Sequence, residues 1–498
     1  MEKIKMGWAE VDMTPAKGNK ISLQGQFFER ITDEVESPIT VTAFALESGN
    51  EQMVIVSCDI VSVGKNVVDG VRAKLQGKID LPLEKIMIGA IHSHTSMKYK
   101  AQSVVGEKGG KNSFQVLQAL VPEDMAYKPL VSAEECLSPE QCLEIFVNAI
   151  SEAVIKAWEG RTEGYYQNAF GRVAVGMCRR VCYDDGSAKM WGDTNHANFD
   201  ALEGGNDSGM ELIYTFDANK QLTGVIANIA CPAQVVEHRS FISSDYWGKV
   251  KENLRAKFGK HIQVLGLCSA AGDQCPRDMI RWVNPETPID DPNIKRENLI
   301  ERRADPSMFD ISGLKLVGKR ISNEIISVLE ELGDDYKDEG LLVHEVVDLE
   351  LPIRKVTIAE YNASLDAIER FIDKNRGRRI GFDDNAAMHV HAGNIARYEL
   401  QKTLNNFTTE IHIVRFGDIA IATNPFELFL DYGNRIRARS KAKQTFLIQL
   451  CCDCLSYLPT EKAEKGSHYS AYISSGVTGH VGGDILVRTT LERINKMF

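Results

Sequence analysis

Polar and apolar positions alternate along Ile39-Thr40-Val41-Thr42-Ala43-Phe44-Ala45-Leu46. After a Glu47-Ser48-Gly49-Asn50 break, an apolar run resumes as Met53-Val54-Ile55-Val56-Ser57. Two such runs about a Gly-Asn turn predict a β-hairpin. Helical spacing follows over 67–76, and 85–90 is a short apolar run that predicts a buried strand. Strand, helix, strand is the order of a βαβ unit. At its end stands Ile91-His92-Ser93-His94-Thr95-Ser96, where open α/β sheets place their sites.

Periodicity dissolves over 97–137, which predicts a long loop with at most one short helix; loops of that length inside a domain are usually functional covers. Ser138 as N-cap and Pro139 at the first helical position open a helix that runs to Gly160. Strand-rich sequence over 165–181 carries Met177-Cys178-Arg179-Arg180. Two strands over 207–228 flank an Asp217-Ala218-Asn219-Lys220 turn, and the second leads to Cys231. Ser244-Asp245 caps a helix to Phe258, and an apolar run from Ile262 enters Gly272-Asp273-Gln274-Cys275-Pro276. The stretch 278–311 is again irregular. Helices are expected over 314–332 and 358–374, then a polar stretch with His389 and His391. Two strands over 411–423 end in Asn424-Pro425-Phe426-Glu427. A helix over 428–439 and a strand over 445–450 precede Cys451, Cys452 and Tyr457. With no internal repeat and no linker, the pattern predicts an α/β chain: one large domain, mixed β-sheets flanked by helices, and a site at the strands' C-terminal ends.

Composition narrows the function. The 498 residues carry a formal net charge of -11, with no basic run of five, which argues against nucleic acid or an acidic membrane surface as partner. No stretch approaches 18 consecutive apolar residues, so no membrane span is expected. The N-terminus has no secretory apolar core, and the 11 cysteines are odd in number and show no framework spacing. Reduced thiols in the cytoplasm and a small-molecule substrate are the expectation.

Five polar stretches therefore follow predicted strands: His92/His94, Arg179/Arg180, Cys231, Gly272 to Cys275, and Glu427 with Tyr457. A His-x-His on an extended segment puts both imidazoles on one side, about 6–7 Å apart. One can bind a metal while the other serves acid–base chemistry, or one can be structural. Cys275 either attacks a substrate or fills space. Glu427 also suits a helix N-terminus, Tyr457 a core, Arg179 and Arg180 an exposed pair, and Cys231 a buried small hydrophobe. Their shared position after strands is what singles them out.

The set resembles the neutral/alkaline (non-lysosomal) ceramidase family, zinc-dependent amidases that cleave the N-acyl bond of ceramide. Gly7-Trp8-Ala9-Glu10-Val11-Asp12-Met13-Thr14 looks like the family's opening Gly-x-Ala-x-x-Asp-Ile-Thr. His92-Ser93-His94-Thr95-Ser96 looks like its His-Thr-His-Ser-Gly, Cys178-Arg179 like Asn-Arg, and Ser243-Ser244-Asp245 with Gly248 like Ser-Ser-Asp-Asn-Lys-Gly. Gly272-Asp273-Gln274-Cys275-Pro276 is similar to Gly-Asp-Val-Ser-Pro, Asn424-Pro425-Phe426-Glu427 to Pro-Gly-Glu-Phe, and Tyr457-Leu458-Pro459-Thr460 to Tyr-Ile-Thr-Thr. The resemblance covers that family's catalytic domain, 1–498 here, without its C-terminal immunoglobulin-like domain. It implies a zinc ion held by His92, Cys231, Glu427 and Tyr457. It also implies a catalytic set of Cys275, His94, Arg179 and Tyr457.

Two substitutions depart from the family. Fourteen residues before Asp245, where a zinc-binding histidine is expected, stands Cys231; a thiolate also ligates zinc, and His238 is near enough in sequence to replace it. The nucleophilic serine is replaced by Cys275, whose reactivity depends on a depressed pKa. The implied activity is a zinc-dependent amide hydrolase whose substrate is a small polar N-acyl compound and not membrane ceramide. Specificity is expected in the insertions near 97–137 and 279–311. A metal-free thiol hydrolase pairing Cys275 with His94, and a non-catalytic binding protein of the same fold, are the alternatives.

Overall fold

The computed structural model describes residues 3–26, 28–127, 135–281 and 309–498. Strand β1 (Ile4–Asp12) pairs antiparallel with β2 (Thr40–Ser48), and β2 with β3 (Glu51–Cys58). Gly49 closes that hairpin at φ 61°, a left-handed conformation that costs glycine nothing. Helix α1 (Lys65–Leu75) buries Val67, Val68, Val71 and Leu75, its apolar stripe, and carries the chain to β4 (Ile86–Ala90), parallel to β3.

The same order then recurs. Strands β5 (Tyr165–Arg172), β6 (Gly209–Phe216) and β7 (Leu222–Ile229) are antiparallel neighbours. Helix α2 (Asp245–Phe258) crosses to β8 (Gln263–Cys268), parallel to β7. Strands β9 (Leu342–Pro352), β10 (Asn406–Phe416) and β11 (Ile419–Thr423) repeat it once more, with α3 (Leu430–Arg439) leading to β12 (Gln444–Ile448), parallel to β11. Three units thus share one topology: three antiparallel strands, a helix, and a parallel fourth strand. No sequence repeat announces it.

The units meet along their parallel strands. Ser57 donates to the Gly266 carbonyl at 2.6 Å, and the Asn228 side-chain amide exchanges hydrogen bonds with the Leu447 backbone at 2.8 and 3.2 Å. Ala90 N–H donates to the Leu450 carbonyl at 3.3 Å, and Gln449 N–H to that of Cys268 at 3.0 Å. One apolar core runs through all three sheets, from Ile4 and Val56 through Ile226 and Leu265 to Ile421 and Phe446. The C-terminal ends of β3, β4, β7, β8, β11 and β12 are thereby brought to one side.

Most of the expected elements form. The helix at Pro139–Glu159 carries Ser138 and Gln141 as a reciprocal capping box. Among the described residues of 97–137, one α-helix forms, Ser113–Leu120, preceded by a 3-10 turn at Gly106–Lys108. Elements that the sequence does not announce include β9, the helix Phe382–Leu400 that holds His389 and His391, and the terminal helix His480–Met497. Of the expected irregular stretch near 279–311, residues 282–308 lie outside the described residues. Among the described residues, no helix is long and apolar enough to cross a membrane.

Candidate active site

The chain leaves β4 and turns sharply at His92, whose φ of 69° lies in the left-handed region. His92 Nδ1 is 2.7 Å from the Val61 carbonyl. A carbonyl only accepts, so Nδ1 carries a proton. Nε2 lies 3.4 Å from Glu427 Oε2 and 3.1 Å from His94 Nε2.

His94 is fixed from both ends. Its Nε2 is 2.8 Å from the Gln234 amide nitrogen, and its Nδ1 is 3.2 Å from Glu237 Oε2. Gln234 cannot turn round, because its carbonyl oxygen accepts from the Arg179 guanidinium at 3.3 Å. Burial pulls the His94 imidazole down to about 4, outweighing Glu237. Burial would raise Glu237, but His94 beside it, with Arg277 and Arg179, holds its carboxyl down to about 2. At neutral pH the pair is therefore a neutral imidazole backed by a carboxylate.

Arg179 is buried and reaches across the units. It donates to the Gly272 carbonyl at 3.1 Å and to the Tyr457 hydroxyl at 3.4 Å. Burial alone would favour its neutral form, but Tyr457, Cys275 and Glu427 keep its pKa above the usual arginine range. Glu427 and Tyr457 are register partners in a short parallel bridge, so their side chains emerge together. Burial works against the Glu427 carboxylate, yet His92 and Arg179 lower its pKa overall. Burial and the nearby Glu427 push the Tyr457 phenol well up. Gly272 permits this convergence, since a β-carbon there would stand 2.2 Å from the Glu427 carbonyl oxygen.

The two substituted cysteines sit less openly. Cys275 Sγ faces the Arg277 carbonyl at 3.3 Å, and burial pushes the thiol up to about 11 although Arg179 and Arg277 oppose the rise. Cys231 Sγ faces the carbonyls of Val175 and Pro232 at 3.5 and 3.6 Å within an apolar cluster. Among the described residues it does not join His92 and Glu427 in a group of three donor atoms within 4.8 Å. His238 is held elsewhere, 3.4 Å from Asp310 and over the Phe309 ring. Arg180 is not part of an exposed pair: it is fully buried in a fork with Glu203 at 2.6 and 3.0 Å.

A cavity of about 740 Å³ opens onto this cluster. His94, Arg179, Gln234, Glu237 and Tyr457 form its floor, whereas His92, Cys231, Cys275 and Glu427 stand outside its lining. The rest of its lining mixes polar residues (Asp185, Ser187, Lys189, Asp193, His196 and Asn198) with the apolar surfaces of Tyr183, Met190, Trp191 and Met279. Sequence reading did not single out Gln234 or Glu237 for the site. The available signal was their place in the same post-strand segment as Cys231.

No protein-family model matches the chain, and no curated protein sequence does. Solved structures do match. One is the crystal structure of neutral ceramidase from Pseudomonas aeruginosa, at a TM-score of 0.67 and 16% identity, covering 100% of this chain and 75% of that one. Another is a ceramidase complexed with C2, at 0.67 and 14%, with the same coverage. The chain has the neutral ceramidase fold, a mixed α/β architecture.

Proposed function

We propose that this chain is a zinc-dependent hydrolase that cleaves the N-acyl bond of a small polar amide bound in the cavity above His94. One observation carries the reading: His92 Nε2 stands 3.4 Å from the Glu427 carboxylate and 3.1 Å from His94 Nε2, a gathering of imidazole and carboxylate donors suited to a cation. Imidazole, carboxylate and phenol are oxygen and nitrogen donors that zinc accepts. His92, Glu427 and Tyr457 would hold the ion, with Cys231 as the fourth ligand that the family resemblance implies. Bound zinc would polarise the scissile carbonyl as a Lewis acid.

The chain's own residues supply the rest. His94, neutral at working pH, takes a proton from the attacking water through Nε2 and returns it to the leaving nitrogen. Glu237 orients that imidazole and offsets its charge when it is protonated. Arg179 and Tyr457 donate hydrogen bonds to the carbonyl oxygen as it becomes negative. A thiol pushed up to about 11 and turned to a backbone carbonyl is a poor nucleophile, so the attack is given to water, with Cys275 packed behind Arg179. The carboxylate, amide, hydroxyl and amine groups of Asp185, Asn198, Ser187 and Lys189 in the lining support a sugar-like or other hydrophilic N-acyl compound.

The test combines metal analysis with amine release from N-acetylhexosamines, N-acyl amino acids and short-chain ceramide. Zinc bound at this site and faster release from the polar substrates are expected. His92→Ala and Glu427→Gln should each remove one equivalent of zinc and the activity together. Undiminished hydrolysis in those variants would overturn the metal reading, and preference for ceramide would overturn the substrate.

A further inference from the structure

A second cluster of ligand atoms lies outside this site, where the third unit packs on the first. Glu410 and His412 sit two apart on β10, so their side chains share one face of the strand. Cys452 follows β12 and is placed by its N–H, which donates to the Ile88 carbonyl at 2.9 Å. His412 Nε2 is 3.5 Å from Cys452 Sγ and 2.9 Å from Glu410 Oε1. The three donor atoms all lie within 4.8 Å of one another.

The hydrogen bonds behind His412 orient its ring. The Gln52 carbonyl lies 3.4 Å from His344 Nδ1 and only accepts, so Nδ1 of His344 carries a proton. His344 is buried, and its Nε2 lies 2.9 Å from His412 Nδ1. His412 Nε2 is directed, with its lone pair or one added proton, at a carboxylate and a sulfur. A partner at the other ring nitrogen is how metal-bound histidines are oriented.

We propose that Glu410, His412 and Cys452 form a second metal seat, separate from His92 and Glu427, for a thiophilic divalent cation of the zinc class. Tetrahedral zinc places a thiolate sulfur and an imidazole nitrogen about 3.6 Å apart, close to the 3.5 Å between Cys452 and His412. The Glu410–His412 separation, 2.9 Å, opens by roughly half an ångström to admit the ion. Arg72 grips Glu410 at 2.7 and 3.0 Å and orients the carboxylate, while the Glu410 side chain keeps 23% exposure, the side from which an ion enters. Cys451 Sγ lies 3.8 Å from Cys452 Sγ and points its thiol toward that sulfur. The competing occupant is a proton on His412 Nε2 shared between Glu410 and Cys452.

The test uses the full chain in a His92→Ala/Cys231→Ala background, which removes the histidine and the sulfur of the catalytic seat. Chelator-stripped protein is titrated with Co2+ and then with Zn2+. One retained equivalent is expected, with a sulfur-to-cobalt charge-transfer band that Cys452→Ser abolishes. No retained metal, or a band that survives Cys452→Ser, would sink the proposal in favour of the shared proton. Should the background fail to fold, native mass spectrometry of the wild type against His412→Gln decides it: loss of one zinc equivalent supports the seat, and unchanged stoichiometry refutes it.

Discussion

Gly272→Ala probes the closest approach in the site. Gly272 lies where the turn after β8 crosses the Glu427 segment, and its N–H donates to the Leu428 carbonyl at 2.8 Å. An added β-carbon would meet the Glu427 carbonyl oxygen at 2.2 Å, its carbon at 2.7 Å and the Leu428 carbonyl carbon at 3.1 Å. Ordinary contact begins at 3.4 Å, so the two segments must part by more than 1 Å at backbone atoms that no rotamer change can relieve. Gly272 is not among the glycines with positive φ, so the penalty is contact and not conformation. Overpacking of this kind costs about 1–3 kcal/mol. The same shift carries Glu427 and Tyr457 away from Arg179, and a misplacement of about 1 Å costs on the order of 10²-fold in kcat. The assay pairs kcat for amide hydrolysis with a thermal melt. Gly205→Ala serves as control, since its β-carbon meets nothing within 4 Å and should leave both values unchanged. Wild-type kcat and melting in Gly272→Ala would refute the account of the site as two loops in backbone contact.

Glu237→Gln should lower kcat by about 10²–10⁴-fold, because it removes the carboxylate that orients the His94 base; an unchanged kcat would remove Glu237 from the mechanism. Cys275 should resist iodoacetamide at neutral pH and label only as the pH climbs toward 11, where its thiol ionises; stoichiometric labelling at pH 7.5 in native protein would return the attack to the thiol. Arg180→Ala leaves Glu203 charged and buried, and should cost about 3–5 kcal/mol in equilibrium denaturation. A loss under about 1 kcal/mol would show that solvent reaches the carboxylate.

The strand ends were legible because apolar runs stop abruptly at them, so His92, His94, Cys231, Cys275 and Glu427 could be placed on one edge from the chain alone. What surrounds them was not. Glu237 and Gln234 follow β7 by a loop whose path depends on Arg179, a residue from another segment. The helix Phe382–Leu400 is hard to read because its sequence is rich in alanine, histidine and acidic groups; among its described residues it buries Ala392, Gly393, Ile395 and Arg397. The threefold topology was hidden because the segments between first and second strands, 13–39, 173–208 and 353–405, differ in length and content. Burial of Arg180 was equally invisible, since its partner Glu203 sits beyond a hairpin with no spacing rule.

The recurrence of one unit three times also bears on the order of events during folding. Each hairpin and its crossover strand can collapse on local contacts, with short loops to close. The groups of the proposed site cannot assemble that way, because His92 and His94 come from the first unit, Glu237 and Arg179 from the second, and Glu427 and Tyr457 from the third. Recovered activity in a refolding experiment therefore reports the final docking of three preformed pieces, and should lag behind the return of secondary structure.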